Sequence, residues 1–206
     1  MKHNKTRLTE NGFTLIELLI VALMIGILLA LAIPALIQAR ISANEANARK
    51  AMQVLRDTEA EYFEMDLDND GFSDYTHIIG NLNTGGSLRC PSADYSANTP
   101  GCIDEDALLD STFEVAIVND GNQAVAATCL DPKAGYCLSW SGSIDSDQQT
   151  LHGDFGWEAS MASVYKTGRK DFAVYADSSV RCTVSLGTRG QAGLFQADYA
   201  SPVCDD

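Results

Sequence analysis

Residues 12–17, Gly12-Phe13-Thr14-Leu15-Ile16-Glu17, join a short basic stretch to a long apolar one. Ahead of it, residues 1–12 carry Lys2, Lys5 and Arg7 against a single acid, Glu10. Beyond it, no side chain in residues 18–33 is charged or amide-bearing. Taken over residues 13–37, the run is interrupted only by Thr14, Glu17 and Pro34. At about 1.5 Å per residue this is roughly 37 Å of helix, enough to cross the hydrocarbon core of a bilayer. The positive flank comes first, so the N-terminus is expected on the cytoplasmic side and the rest of the chain beyond the membrane. A carboxylate in such a helix costs about 2.5–3.5 kcal/mol on insertion scales unless something neutralises it. Glu17 therefore separates three interpretations. A signal peptide cut after Ala30-Leu31-Ala32 would gain nothing from it. A plain anchor would let it snorkel to the headgroups. A segment that is processed and reused would give it a partner.

The junction, the apolar helix behind it and Pro34 inside that helix together resemble the leader region of type IV pilins and type II secretion pseudopilins. The resemblance covers residues 1–40. It implies a leader, residues 1–12, removed by a membrane aspartyl peptidase that cuts between Gly12 and Phe13. The same enzyme system would then methylate Phe13 on its new amino group. Residues 13–36 become the transmembrane and filament-core half of one long helix, with a kink at Pro34. Residues 37–206 become the periplasmic or extracellular head, which includes the amphipathic half of that helix. Glu17 is then the fifth residue of the mature chain, placed for assembly. Pairing its carboxylate with the Phe13 ammonium of a neighbouring subunit neutralises both in an apolar filament core, where either alone is strongly unfavourable. The partners implied are further copies of the chain, other pilins, the prepilin peptidase and methyltransferase, and inner-membrane assembly machinery. The location implied is a single-pass bacterial inner-membrane protein that passes into a pilus or a periplasmic pseudopilus.

The helical pattern outlasts the membrane segment. Residues 36–64 contain neither Gly nor Pro. Ala48, Met52, Leu55 and Tyr62, joined by Ala51, Val54 and Thr58, form one apolar face at helical spacing, while Arg49, Lys50, Arg56 and Glu61 lie largely elsewhere. One helix over about residues 13–64, roughly 78 Å at the standard rise, is expected to pack its second half on a sheet. Downstream, TFEVAIV and QAVAATC read as two strands around an Asn119-Asp120-Gly121-Asn122 turn, YCLSW as a third, and FAVYADSSVRCTV as a hairpin around Asp177-Ser178-Ser179. HGDFGW is assigned to a loop. The fold class expected is α+β and pilin-like, a long N-terminal helix on an antiparallel sheet with disulfide-stapled loops.

Two further patterns bear on the head. Asp66, Asp68, Asp70 and Asp74 flank Gly71 in MDLDNDGFSDYTH, the oxygen-rich opening of a calcium loop. Position twelve is His77 rather than a bidentate glutamate, so the stretch reads either as a weak calcium site or as a solvated acidic turn. The six cysteines, Cys90, Cys102, Cys129, Cys137, Cys182 and Cys204, are even in number and irregular in spacing, and no CxxC is present. Behind an export-like segment that pattern means disulfides in an oxidising compartment. Proximity in sequence suggests Cys90–Cys102, Cys129–Cys137 and Cys182–Cys204, one of fifteen possible connectivities.

Composition narrows the function classes. With 14 Lys+Arg against 28 Asp+Glu the formal net charge is −14, which argues against nucleic acid as a partner of the head. His77 and His152 stand alone in sequence, and GxSxG, HExxH and GxxxxGK[ST] are all missing. A structural, non-enzymatic subunit is the reading this supports. The alternatives are a calcium-dependent adhesive subunit at a filament tip and an acidic secreted enzyme behind a signal peptide. The second requires cleavage near Ala32 rather than after Gly12.

Overall fold

The computed structural model describes residues 12–65, 72–82, 108–119, 131–145, 148–184 and 197–204. The chain separates into two compact units, Met1–Ala39 and Arg40–Asp206. Helix α1, Leu15–Met65, begins in the first and continues into the second, close to the expected bounds. Pro34 lies inside it without ending it. In the first unit every described residue is exposed, aliphatic side chains included. This segment is long and apolar enough to cross a membrane.

The second unit is built on the other half of α1. Ile41, Ala48, Ala51, Met52, Leu55, Thr58, Glu59 and Tyr62 are buried on one stripe. Five strands form one sheet in the order β1-β2-β3-β4-β5: Ile117–Asn119, Tyr136–Trp140, Gly156–Met161, Lys170–Tyr175 and Val180–Val184. Strands β2 to β5 are an antiparallel meander, in which Trp140 pairs with Trp157, Ala159 with Phe172 and Phe172 with Cys182. The side chains alternate between the faces, as strand geometry requires. Leu138, Trp140, Trp157, Ala159, Phe172 and Val174 join the stripe of α1 in one core cluster. The other face carries Glu158, Ser160, Asp171 and Tyr175, all buried.

Three expectations are corrected. The sheet is mixed rather than purely antiparallel, because β1 runs parallel to β2. Residues 111–116 form a short helix, α2 (Ser111–Ala116), instead of a strand. Its β-branched residues favour a strand, but the Asp110 carboxylate caps it by accepting from the Thr112 amide at 2.8 Å, and local capping wins over propensity. Part of the stretch assigned to a loop is strand β3: Trp157, Ala159 and Met161 alternate with Glu158 and Ser160, and both faces are buried, but Gly153 and Gly156 ahead of them give the stretch the look of a loop. A helical turn, α3 (Gln148–Leu151), precedes it. The second strand expected over QAVAATC lies outside the described residues.

The outer edge of β5 is closed by the C-terminal segment. The Cys182 amide donates to the Pro202 carbonyl at 3.0 Å, the Cys204 amide to the Val180 carbonyl at 2.9 Å, and Arg181 bridges to Val203 in antiparallel fashion. Cys182 and Cys204 are joined by a disulfide across the same edge. Cys137 is also disulfide-bonded. Cys90, Cys102 and Cys129 lie outside the described residues.

Candidate functional site

Residues 12–14 are non-helical and α1 starts at Leu15, so Thr14 is the helix N-cap and Glu17 its third residue. Glu17 turns back on the cap. Its carboxylate accepts from the Thr14 amide at 2.8 Å and from the Thr14 hydroxyl at 2.7 Å. The Thr14 hydroxyl oxygen in turn accepts from the Glu17 amide at 3.3 Å. This reciprocal arrangement is a capping box, and it satisfies two of the backbone donors that a helix start leaves over. The negative charge also lies at the positive end of the helix dipole. The T-x-x-E spacing signalled this role, which the sequence reading had not drawn on. Within one chain, then, the partner of Glu17 is Thr14.

Among the described residues nothing covers the junction. A Cβ built on Gly12 would meet nothing within 4 Å, and Phe13 is 83% exposed. Glu17 projects from a helix whose other side chains from Leu15 to Ile33 are almost all aliphatic and uncovered. Surfaces of that kind are stable in lipid or against other such helices, not in water.

The remaining expected sites fare differently. Asp66, Asp68 and Asp70 lie outside the described residues. Asp74 is turned into the head, 5% exposed, with its charge felt by Glu59. That placement does not fit a solvent-side calcium loop. Among the described residues no three or more His, Cys, Asp or Glu side chains converge as metal ligands. His77 stands edge-on to Trp140 and His152 packs against Phe72. Asp154 accepts from the amides of Phe155 and Ala176, so His152-Gly153-Asp154 is a structural turn.

Sequence reasoning missed the buried carboxylates. Glu59 is fully buried, and accepts from the Trp157 indole N–H at 2.7 Å and from the Thr76 amide at 3.1 Å. Burial pushes its pKa up to about 8; the two hydrogen bonds oppose the shift and the Asp74 charge adds to it. Glu158 is pushed up to about 7 by burial, against hydrogen bonds from Ser141 and Tyr175. The Ser160 hydroxyl donates to Asp171 at 3.0 Å. The signal for Glu59 was its position. The spacing 52, 55, 59, 62 places it on the core stripe.

One of the comparisons falls on the same segment. The family described as a prokaryotic N-terminal methylation motif matches residues 7–33. Over 71 residues the chain is 37% identical to the type IV major pilin protein PilA of Myxococcus xanthus, a stretch that is 34% of this chain and 31% of that relative. The chain thus spans about a third of the length of the curated relative it matches. No solved structure matches the chain significantly.

Proposed function

We propose, from an N-terminal region of the type IV pilin family, that this protein is a structural subunit of a type IV pilus or a related pseudopilus. The observation that carries the proposal is the Gly12–Phe13 junction: fully accessible, ahead of an uncovered apolar helix whose one carboxylate sits at its first turn. Peptidase cleavage removes residues 1–12 and leaves an ammonium at Phe13. In the membrane the helix anchors the subunit, with residues 37–206 on the far side. On extraction into a filament, the apolar faces of many copies bury one another and the Phe13 ammonium of one meets Glu17 of the next. The capping box holds that carboxylate at the helix start, four residues from the cleavage point. The subunit is not an enzyme in this reading, and its similarity to a major pilin favours the shaft over the tip. Calcium has no part in this reading: among the described residues no group of metal ligands converges, and Asp74 is buried in the head.

Two substitutions separate the roles of Glu17. Gln keeps the capping box but loses the charge; Val loses both. If the charge pairs between subunits, both variants remain in the membrane and both give few filaments on shearing. Normal filament yield from Glu17→Gln would leave only the capping role and refute the pairing.

A further inference from the structure

The turn that joins β3 to β4 is basic on an acidic chain. Residues 162–170 hold Lys166, Arg169 and Lys170 and no acid, although the chain as a whole carries a formal net charge of −14. These three cations are exposed, and so is Tyr165 beside them, by 54%. Among the described residues none of the three makes an ion pair. Tyr165 also holds φ at +57°, in the left-handed region that glycine accepts and a side chain disfavours. Hydrogen bonds keep it there. The Tyr165 amide donates to the Gly168 carbonyl at 2.9 Å, the Thr167 amide to the Ser163 carbonyl at 2.9 Å, and the Ser163 amide to the Thr167 hydroxyl at 3.0 Å. A large aromatic ring is thus held in the open, among cations, by a turn that fixes its backbone in an unfavourable conformation.

The turn is fastened to the first residues of the second unit. The Asn44 side-chain amide donates to the Thr167 carbonyl at 2.9 Å, and the Glu45 carboxylate accepts from the Arg169 amide at 2.7 Å. Glu45 therefore already has a partner in the turn's backbone, and Asp171, next along β4, is buried and accepts from the Ser160 hydroxyl. Asn44 and Glu45 stand seven and eight residues past Ile37, where the apolar run ends, a helical rise of roughly 10–12 Å. The headgroup layer is about 5–8 Å deep on each side of a bilayer, and its charge is felt for a further ~8 Å at physiological salt. Exposed Arg40 lies within the same rise. Tyrosine rings and basic side chains are the groups that a headgroup layer favours.

We propose that residues 162–170, with Arg40, form a second membrane contact, in which the Tyr165 ring lies among the headgroups and Lys166, Arg169 and Lys170 face anionic phospholipid. An anionic surface repels the rest of so acidic a head, so the contact selects the side of the head that meets the bilayer. A single helix lets its head turn about the helix axis; a contact beside that axis stops the turning. Extraction into a filament has to break the contact, which therefore holds the subunit ready in the membrane. The inference rests on the membrane-anchored reading above and adds to it a lipid-facing side of the head.

The test uses the full-length chain carrying Tyr165→Trp, reconstituted into vesicles of phosphatidylcholine brominated near the headgroup end of its chains, with and without one-third phosphatidylglycerol. Trp140 and Trp157 are buried in the core, so the wild-type chain supplies a low background of quenching. The Tyr165→Trp fluorescence should be quenched about twofold more in the anionic vesicles than in the neutral ones, and high salt should remove the difference. Adding Lys166→Glu and Arg169→Glu, both at exposed positions, should bring quenching in the anionic vesicles down to the neutral level. Quenching no greater than the wild-type background, as expected of a turn that binds an acidic protein instead, would overturn the contact. So would equal quenching in both vesicles, or a difference that survives the two charge reversals. Failure of the anchored reading is distinct: the wild-type chain would then not float with vesicles of either kind.

Discussion

Two glutamates on one helix show how placement decides what a carboxylate does. Glu17 lies in the first turn, where unsatisfied amides and the helix dipole favour a negative charge. Glu59 lies on the buried stripe, where desolvation favours the proton. The consequence for Glu59 is a pH dependence of known sign. Its folded-state pKa is raised to about 8 from an ordinary 4.5, so the folded head holds a proton that the unfolded chain gives up. The stabilisation is complete below about pH 4.5 and is lost as pH rises through 8. Glu158, raised to about 7, acts in the same direction. The head, residues 40–206, should therefore melt at a higher temperature at pH 5 than at pH 8.5. Glu59→Gln should flatten that dependence. It cannot accept from both Trp157 and Thr76, so at pH 5 it should be less stable than wild type by about 1–3 kcal/mol. At pH 8.5 the gap should close or reverse. Thermal unfolding across this range settles it, and a wild-type midpoint that rises with pH would show Glu59 ionised in the fold.

Among the elements, those with a periodic signal were legible and those set by local chemistry were not. Helix α1 could be read almost to its ends, because Ala48, Met52, Leu55 and Tyr62 repeat at helical spacing and only Gly26 and Pro34 intervene as breakers. Strands β4 and β5 were legible as a hairpin, since Asp177-Ser178-Ser179 is turn chemistry between β-branched runs. Strand β3 carries a legible alternation, Trp157-Glu158-Ala159-Ser160-Met161, but only five residues of it, directly behind the Gly-rich HGDFGW that reads as a loop. Helix α2 owes its existence to one aspartate. The edge of β5 is managed by the C-terminal segment rather than by β5 itself, and the disulfide holds that cover in place. Cys182 and Cys204 are 22 residues apart, a loop worth about 3 kcal/mol in the chain-entropy account. Replacing both by Ser should destabilise the head by about 2–4 kcal/mol in urea unfolding and expose a strand edge that promotes self-association. Unchanged stability in the double variant would mean that the hydrogen bonds of residues 201–204 suffice alone.

At the scale of the whole molecule the chain is two solutions to burial. The described residues of the second unit bury most of their apolar side chains internally, against one sheet. The described residues of the first unit bury none of theirs, and so require a membrane or other copies. The junction at residues 12–17 was the most legible part of the candidate site, because its basic flank, Gly12-Phe13, Glu17 and Pro34 agree in spacing; the capping box inside it was equally written in the sequence as T-x-x-E. The buried carboxylates were not, since they depend on which side chains the sheet brings beneath the helix. The central claim is that the apolar helix is kept and reused after processing. Mass spectrometry of the mature N-terminus tests this most directly. The expected result is a chain beginning at Phe13, heavier by one methyl group on its amino nitrogen. A mature chain beginning near Leu36, with the apolar segment removed, would contradict it.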